Sequence, residues 1–386
     1  MDLQTELLIS EARRRTGLDD FGDPWFREPL EVLLRSMREE AALNATGRQI
    51  QGERILTGLV NRLRIRDFVN RNPGIRDEPV DVGCVIVGLG RSGSTLLQRL
   101  LAAAEGATAV YWWETLNPGP LPGEVPGQAE QRREIARAAV AAMLEAAPDL
   151  LSIHPMDAFA ADEEVMLLEQ SFVSSAPESF MNVPSYARWM EQADQGPAYR
   201  ELREVLQALT LQDSSRRQKK WILKTPQHLS ALPALTEVFP EASIVMPHRD
   251  PVQTVVSWCS LVDTLSAPNT DRLDRRCIGA HWSRRLARNL ADFMATRDRL
   301  GERRFIDIRY AELRSDPVAV GMRVLAVIGL AADSANQARL AAWMAANSRD
   351  TRPMHVYAAD EFGLSEAELR EQFVAYRARH MHEDAH

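Results

Sequence analysis

Cysteine is scarce in this 386-residue chain, and the three present, Cys84, Cys259 and Cys277, are too few and too scattered for a disulfide framework or a zinc site. They read as reduced thiols in a cytosol-like compartment. An excess of basic residues is also missing: 46 Lys+Arg against 54 Asp+Glu leave a net charge of −8, which argues against a dedicated nucleic-acid binder and makes any basic site a local one. No run approaches the ~18 apolar residues that a membrane span requires. The start, Met1-Asp2-Leu3-Gln4-Thr5-Glu6, lacks the basic stretch and apolar run of a signal peptide. The expectation is a cytoplasmic protein that neither spans a membrane nor binds nucleic acid. What is present is globular: 45 % hydrophobic residues, with only 20 Gly and 21 Pro, exclude a disordered or collagenous chain. A chain of this length buries a large core without staples.

The first 78 residues read as a helical segment. Leu30, Leu33, Leu34 and Met37 share one face, and Ile55, Leu56, Leu59, Val60 and Leu63 share another, with a break at Asn44, Thr46 and Gly47. Arg71-Asn72-Pro73-Gly74 closes the segment. The texture changes at Val82-Gly83-Cys84-Val85-Ile86-Val87, an apolar, β-branched run of the kind found in buried parallel strands. Trp221–Lys224, Ile244–Met246 and Phe305–Ile308 repeat that grammar, each followed by a turn and separated by helical stretches. The fold class expected for residues 79–386 is therefore α/β, with a central, mostly parallel sheet of the P-loop NTPase type flanked by helices. A helical insertion over about 118–220 forms a cap, and Ser365 with Glu368 starts a C-terminal helix over about 365–380.

Gly88-Leu89-Gly90-Arg91-Ser92-Gly93-Ser94-Thr95 joins the first strand to a helix that begins with Leu96-Leu97. A row of backbone N–H groups at a helix N-terminus, with the dipole behind it, favours an anion. The pattern departs from a Walker loop because Ser94-Thr95 follows Gly93 with no lysine, and the cation sits earlier, at Arg91. A second candidate anion site is His248-Arg249-Asp250-Pro251: Asp250 is placed to cap a helix that has Pro251 in its first turn, and Ser257 lies eight residues after Arg249. The bland readings are a tight strand–helix turn for the first, and for the second an Arg249–carboxylate pair with Ser257 bonded to its own helix.

Taken in order, the loop through Thr95, Lys224-Thr225-Pro226, and Arg249 with Ser257 resemble the sulfotransferases that use 3′-phosphoadenosine-5′-phosphosulfate (PAPS). The resemblance implies that Arg91, Ser92, Gly93, Ser94 and Thr95 hold the 5′-phosphosulfate, and that Arg249 and Ser257 hold the 3′-phosphate. It further implies that Tyr310, in Tyr310-Ala311-Glu312-Leu313, helps hold the nucleotide. Val183–Trp189 and Asp360–Leu364 are similar to bacterial members, so the likeness runs from about residue 80 to 380. It implies in-line transfer of a sulfuryl group to a hydroxyl acceptor, with Arg91, Lys224 and the loop N–H groups stabilising the leaving phosphate. No clustered Asp/Glu/His set in the sequence demands a metal.

The acceptor hydroxyl must lose a proton, and two residues compete for that role. Glu114, in Tyr111-Trp112-Trp113-Glu114-Thr115, resembles in its placement the glutamate base of tyrosylprotein sulfotransferases. His228 lies close to where cytosolic sulfotransferases carry a histidine, although Pro226 occupies the position two after the lysine. Leu96 stands where those enzymes place a tryptophan against adenine, and Arg349, Arg352 and His355 match a late basic loop only loosely. Met166, Phe172, Phe180, Met181, Tyr186, Trp189 and Met190 in the cap read as core, or as the lining of a pocket for an apolar, lipid-like alcohol. Asp162, Glu163 and Glu164 read as a solvated helix start. The alternatives to a sulfotransferase are a P-loop kinase or NTPase, and a nucleotide-binding sensor without chemistry; a homo-oligomer is compatible with any of them.

Overall fold

The computed structural model describes residues 2–125, 127–146, 156–347 and 358–381. Five parallel strands, β1 (Asp81–Ile86), β2 (Ala107–Thr108), β3 (Lys220–Lys224), β4 (Ser243–His248) and β5 (Phe305–Arg309), form one sheet in the order β2-β3-β1-β4-β5. Four of the five are the apolar runs expected from the sequence. β2 is only two residues long and carries no such run. Helices cover the faces, as a parallel sheet requires. Cys84, Ile86, Ile222, Val245 and Ile308 belong to one core layer, and Val85, Leu223, Ile244 and Met246 to another.

The strand order sets the position of the site. β1 is central, and the chain leaves it toward β2 on one side and later returns to build β4 and β5 on the other. The crevice at the carboxyl end of β1 is thus a topological switch point, where open α/β sheets bind ligands. β3 and β4 flank β1 there, so their final residues, Lys224 and His248, end on either side of the same loop.

Helices Thr5–Thr16, Arg27–Glu39 and Ala45–Arg71 make up most of the N-terminal segment, and the side chain of Asn44 caps the third by accepting from Gly47 N. The cap residues Phe172, Met181, Tyr186 and Met190 are buried in the main core, and Met181 with Phe180 also lines a cavity of about 260 Å³. At the C-terminus, the Ser365 hydroxyl caps the helix by accepting from Glu368 N and donates to Glu368 Oε2, so the expected N-cap is formed. The single helix expected there is instead two, Glu366–Gln372 and Val374–His380. Phe373 leaves helical geometry between them (φ −101°, ψ 13°), and the bend lets Leu369, Phe373 and Tyr376 all reach the core. Among the described residues, no helix is long and apolar enough to cross a membrane. Arg349, Arg352 and His355 lie outside the described residues.

Candidate active site

The loop after β1 folds around backbone geometry that few residues adopt. Gly88 (φ 133°), Arg91 (φ 71°) and Gly93 (φ 86°) all have positive φ, and Gly93 caps the helix Ser94–Ala102. A positive φ at a non-glycine residue is strained and clusters at ligand sites. Gly90 is required for a different reason: a Cβ there would meet the Trp258 ring at 2.2 Å. The buried Ser92 hydroxyl has no hydrogen-bond partner, as expected of a group set aside for a ligand.

The other strand ends converge on this loop. Arg91 Nε donates to Ser257 Oγ at 3.2 Å, and Arg249 donates through one terminal nitrogen to the Arg91 carbonyl at 2.7 Å. The Arg249 guanidinium lies 4.6 Å from the centre of the Tyr310 ring, while its buried Nε has no partner. Tyr310 follows β5 directly, and its ring also borders Gly93. Asp250 caps the helix Pro251–Ser266 by accepting from Val252 N, and it pairs with Arg377 at 2.6 Å. Two guanidinium groups, a hydroxyl and a phenol therefore share one crevice. This is a suitable seat for two anionic groups a ribose apart.

Lys224 closes the crevice on the β3 side. It is 1 % exposed, and its ammonium donates to Thr95 Oγ1 at 3.2 Å and to Glu163 Oε1 at 2.5 Å. Glu163 Oε2 accepts from the Thr225 hydroxyl at 3.3 Å, and Glu164 Oε2 accepts from Lys224 N at 2.8 Å. The acidic triplet is therefore not a solvated helix start. Asp162 is buried, Glu164 is fully enclosed, and the Glu163 side chain is 21 % exposed. The segment is stitched down by Asp162 N to the Val110 carbonyl and by Gln98 and Arg99 to the carbonyls of Asp162 and Ala161. Its charges are met by Lys224 and by Arg99, which lies 3.5 Å from Asp162.

Both sequence candidates for the base are buried among partners of their own. Glu114 is buried, with Oε1 accepting from Arg216 at 2.7 Å and Oε2 from Tyr111 N at 2.9 Å. Both oxygens are committed to a buried ion pair and a helix cap, so the geometry speaks for a structural carboxylate. His228 is enclosed on all sides. Its Nδ1 meets the Tyr199 hydroxyl at 2.7 Å, and its Nε2 is 3.5 Å from Glu164 Oε2. Burial, with Lys224 nearby, pushes the imidazole down to about 3, and burial drives the Glu164 carboxyl well above the usual carboxylate range. Both groups are thus neutral inside the protein.

For His228 the unfolded chain takes up a proton below its ordinary 6.5 while the native state does not, so this residue destabilises the fold as pH falls from 6.5 towards 3. Glu164 acts in the opposite sense at higher pH, its contribution being lost as pH rises through its elevated value. His228→Gln is therefore expected to flatten the fall of the urea midpoint with acid across that window, relative to the parent. Unchanged slopes would contradict the neutral buried imidazole.

One titratable cluster was not foreseen from the sequence. His248, Asp307 and His380 bring ligand-type atoms within 4.8 Å of one another beside the end of β4. The His248 and His380 rings are stacked 4.5 Å apart at 13°, an arrangement in which their in-plane lone pairs do not converge. Asp307 accepts from Arg297 and meets His248 Nε2 at 2.7 Å, and His248 Nδ1 meets the Tyr376 hydroxyl at 2.7 Å. The network braces the strand end that carries Arg249.

Comparison with known proteins agrees with this geometry. The profile described as "Sulfotransferase family" matches residues 84–334. The chain is 27 % identical over 270 residues to omega-hydroxy-beta-dihydromenaquinone-9 sulfotransferase Stf3 of Mycobacterium bovis and, equally, of Mycobacterium tuberculosis. Those matches cover 66 % of this chain and 64 % of the relatives' length. Among solved structures, sulfotransferase STF1 of Mycobacterium tuberculosis superposes with a TM-score of 0.85 at 28 % identity, covering 96 % of this chain and 98 % of that one. Sulfotransferase STF9 of Mycobacterium avium gives 0.87 at 24 % identity, covering 98 % and 97 %, and shows the same α/β fold. The chain belongs to the sulfotransferase family.

Proposed function

From that membership, we propose that the protein is a sulfotransferase that moves a sulfuryl group from PAPS to a hydroxyl acceptor. The observation that carries this reading is the convergence of the 88–95 loop, Arg249, Ser257 and Tyr310 on one crevice. The donor has a phosphosulfate at the 5′ end of one ribose and a phosphate on its 3′ oxygen. It needs two adjacent anion seats at a switch point, and the cationic and hydroxyl groups gathered there support that reading.

In this reading the loop N–H groups, Ser92 and Arg91 hold the 5′-phosphosulfate. Arg249 and Ser257 hold the 3′-phosphate, and the Tyr310 ring packs against the Arg249 guanidinium. Lys224 is aimed, beside Thr95, at the bridging oxygen where negative charge grows as the S–O bond breaks. A kinase or NTPase reading lacks the Walker lysine, since Ser94 stands in its place.

The acceptor oxygen attacks sulfur in line with the leaving phosphate and surrenders its proton to a side chain near Lys224. For the acceptor we propose a hydroxyl on an apolar, lipid-like molecule, in keeping with a relative whose name specifies a hydroxylated menaquinone. Incubation with PAPS carrying radiolabelled sulfur and 1-decanol, in EDTA, is expected to yield labelled decyl sulfate and 3′,5′-adenosine bisphosphate (PAP). Magnesium-dependent turnover of ATP, with PAPS left intact, would contradict the reading.

A further inference from the structure

We propose that Glu163 is the general base of the transfer, and that its ion pair with Lys224 holds it inactive until the donor binds. The inference rests on the sulfotransferase reading above and adds the residue that takes the acceptor's proton.

Geometry singles out Glu163 among the nearby carboxylates. Lys224 touches the phosphate loop through Thr95 on one side and Glu163 on the other, so Glu163 is one ammonium away from the site of bond breaking. A base for in-line transfer must lie near the sulfuryl group and within reach of the incoming hydroxyl. Glu163 is also the member of its triplet most open to solvent, with 21 % of its side chain exposed against 0 % for Glu164 and 9 % for Asp162. That opening gives the acceptor access and lets the captured proton leave to water. The backbone holds the side chain in place: Glu163 N donates to Asp162 Oδ1, and Asp162 is itself held by Arg99. Glu114 and His228, at 2 % and 0 % exposed, lack that access.

The ion pair gives the site a sequence of events. Without donor, Lys224 and Thr225 occupy the two oxygens of Glu163. A carboxylate with both oxygens engaged in this way has neither turned toward an incoming hydroxyl. When the phosphosulfate enters, its negative charge competes for Lys224 and draws the ammonium toward the bridging oxygen, which uncovers Glu163. The acceptor O–S bond then forms as the S–O bond to the 5′-phosphate breaks. The electron pair of the broken bond stays on that phosphate beside Lys224, and the hydroxyl proton passes to Glu163. The products are the sulfate ester, PAP and one proton, which Glu163 releases to solvent. Donor loading and acceptor activation are thereby coupled.

The test is Glu163→Gln, which keeps the shape and the acceptor oxygen facing Lys224 but cannot take a proton. Single-turnover release of labelled sulfur from PAPS, summed over decyl sulfate and inorganic sulfate, is expected to fall by about 100-fold or more. PAP, titrated by calorimetry, is expected to bind as tightly as to the parent or more tightly, because a negative charge beside the 5′-phosphate is gone. The carboxylate limb of the parent's pH–rate profile is expected to vanish; Asp162, Lys224 and Arg99 are the charged groups around this position, and Glu164 and His228 are titratable groups held neutral beside it. Glu163→Asp is expected to recover part of the rate. Transfer less than tenfold slower than the parent overturns the proposal, as does loss of PAP binding along with transfer, which would place Glu163 in the donor seat. A parent that neither binds PAP nor releases sulfur refutes the sulfotransferase reading itself.

Discussion

Lys224→Met is expected to slow single-turnover sulfuryl transfer from PAPS by about 100- to 1,000-fold while weakening PAP binding less than tenfold. The expected rate loss is that of removing one preorganised donor from the position where charge develops. Methionine fills the space of the lysine stem, so the core around the end of β3, where Lys224 is 1 % exposed, stays packed. The backbone amide of residue 224 still donates to Glu164, which keeps the acidic segment in place. The asymmetry between rate and binding is the discriminating feature, because an ammonium that only neutralised the ground-state phosphate would cost both alike. Rate and PAP affinity falling in parallel would show that Lys224 binds rather than catalyses.

Arg249→Ala carries the second large effect, on binding. Its guanidinium is fixed by the Arg91 carbonyl at 2.7 Å and by the Tyr310 ring at 4.6 Å, so little freedom is lost when a phosphate arrives. Removal deletes a charge-assisted contact and also leaves the carbonyl of strained Arg91 without its donor. The expected loss of PAP affinity is at least about 100-fold, or roughly 2.8 kcal/mol at about 1.4 kcal/mol per tenfold. Arg249→Lys is expected to recover only part of it, since a single ammonium cannot bond the Arg91 carbonyl and also present a planar fork of donors to the phosphate. PAP titrated into each variant by calorimetry reads these losses directly.

Much of this architecture was legible in the sequence, for a physical reason. Strands buried on both faces are largely apolar, so β1, β3 and β4 stand out, while the edge strand β5 shows through Phe305, Ile306 and Ile308 despite its exposed Asp307 and Arg309. A loop that bends through positive φ needs the glycines that mark residues 88–93. β2 escaped because two residues, Ala107 and Thr108, carry no pattern. Arg91, Lys224, Arg249 and Tyr310 could be named as candidates because each lies at or just past a strand end, and Ser257 because it sits two helical turns beyond Arg249. The meaning of Glu114 and Glu163 was hidden because it depends on partners far away in the chain: Glu114 is matched by Arg216 and Glu163 by Lys224. A signal for the second was present, since Asp162-Glu163-Glu164 runs straight into Val165-Met166-Leu167-Leu168, leaving the acids no polar face to share. His228 looked like a base by its distance from Lys224, and only the surrounding helices show it sealed against Tyr199 and Glu164.

The central claim is that the two phosphates of one nucleotide rest on the 88–95 loop and on Arg249. It is tested most directly by titrating PAP and 5′-AMP into the parent and Arg249→Ala, and comparing the affinity ratio of the two ligands within each protein. The account predicts that the 3′-phosphate strengthens binding to the parent by about 100-fold or more, and to the variant by less than about threefold. A ratio that survives the loss of Arg249 would place the 3′-phosphate elsewhere and contradict the account.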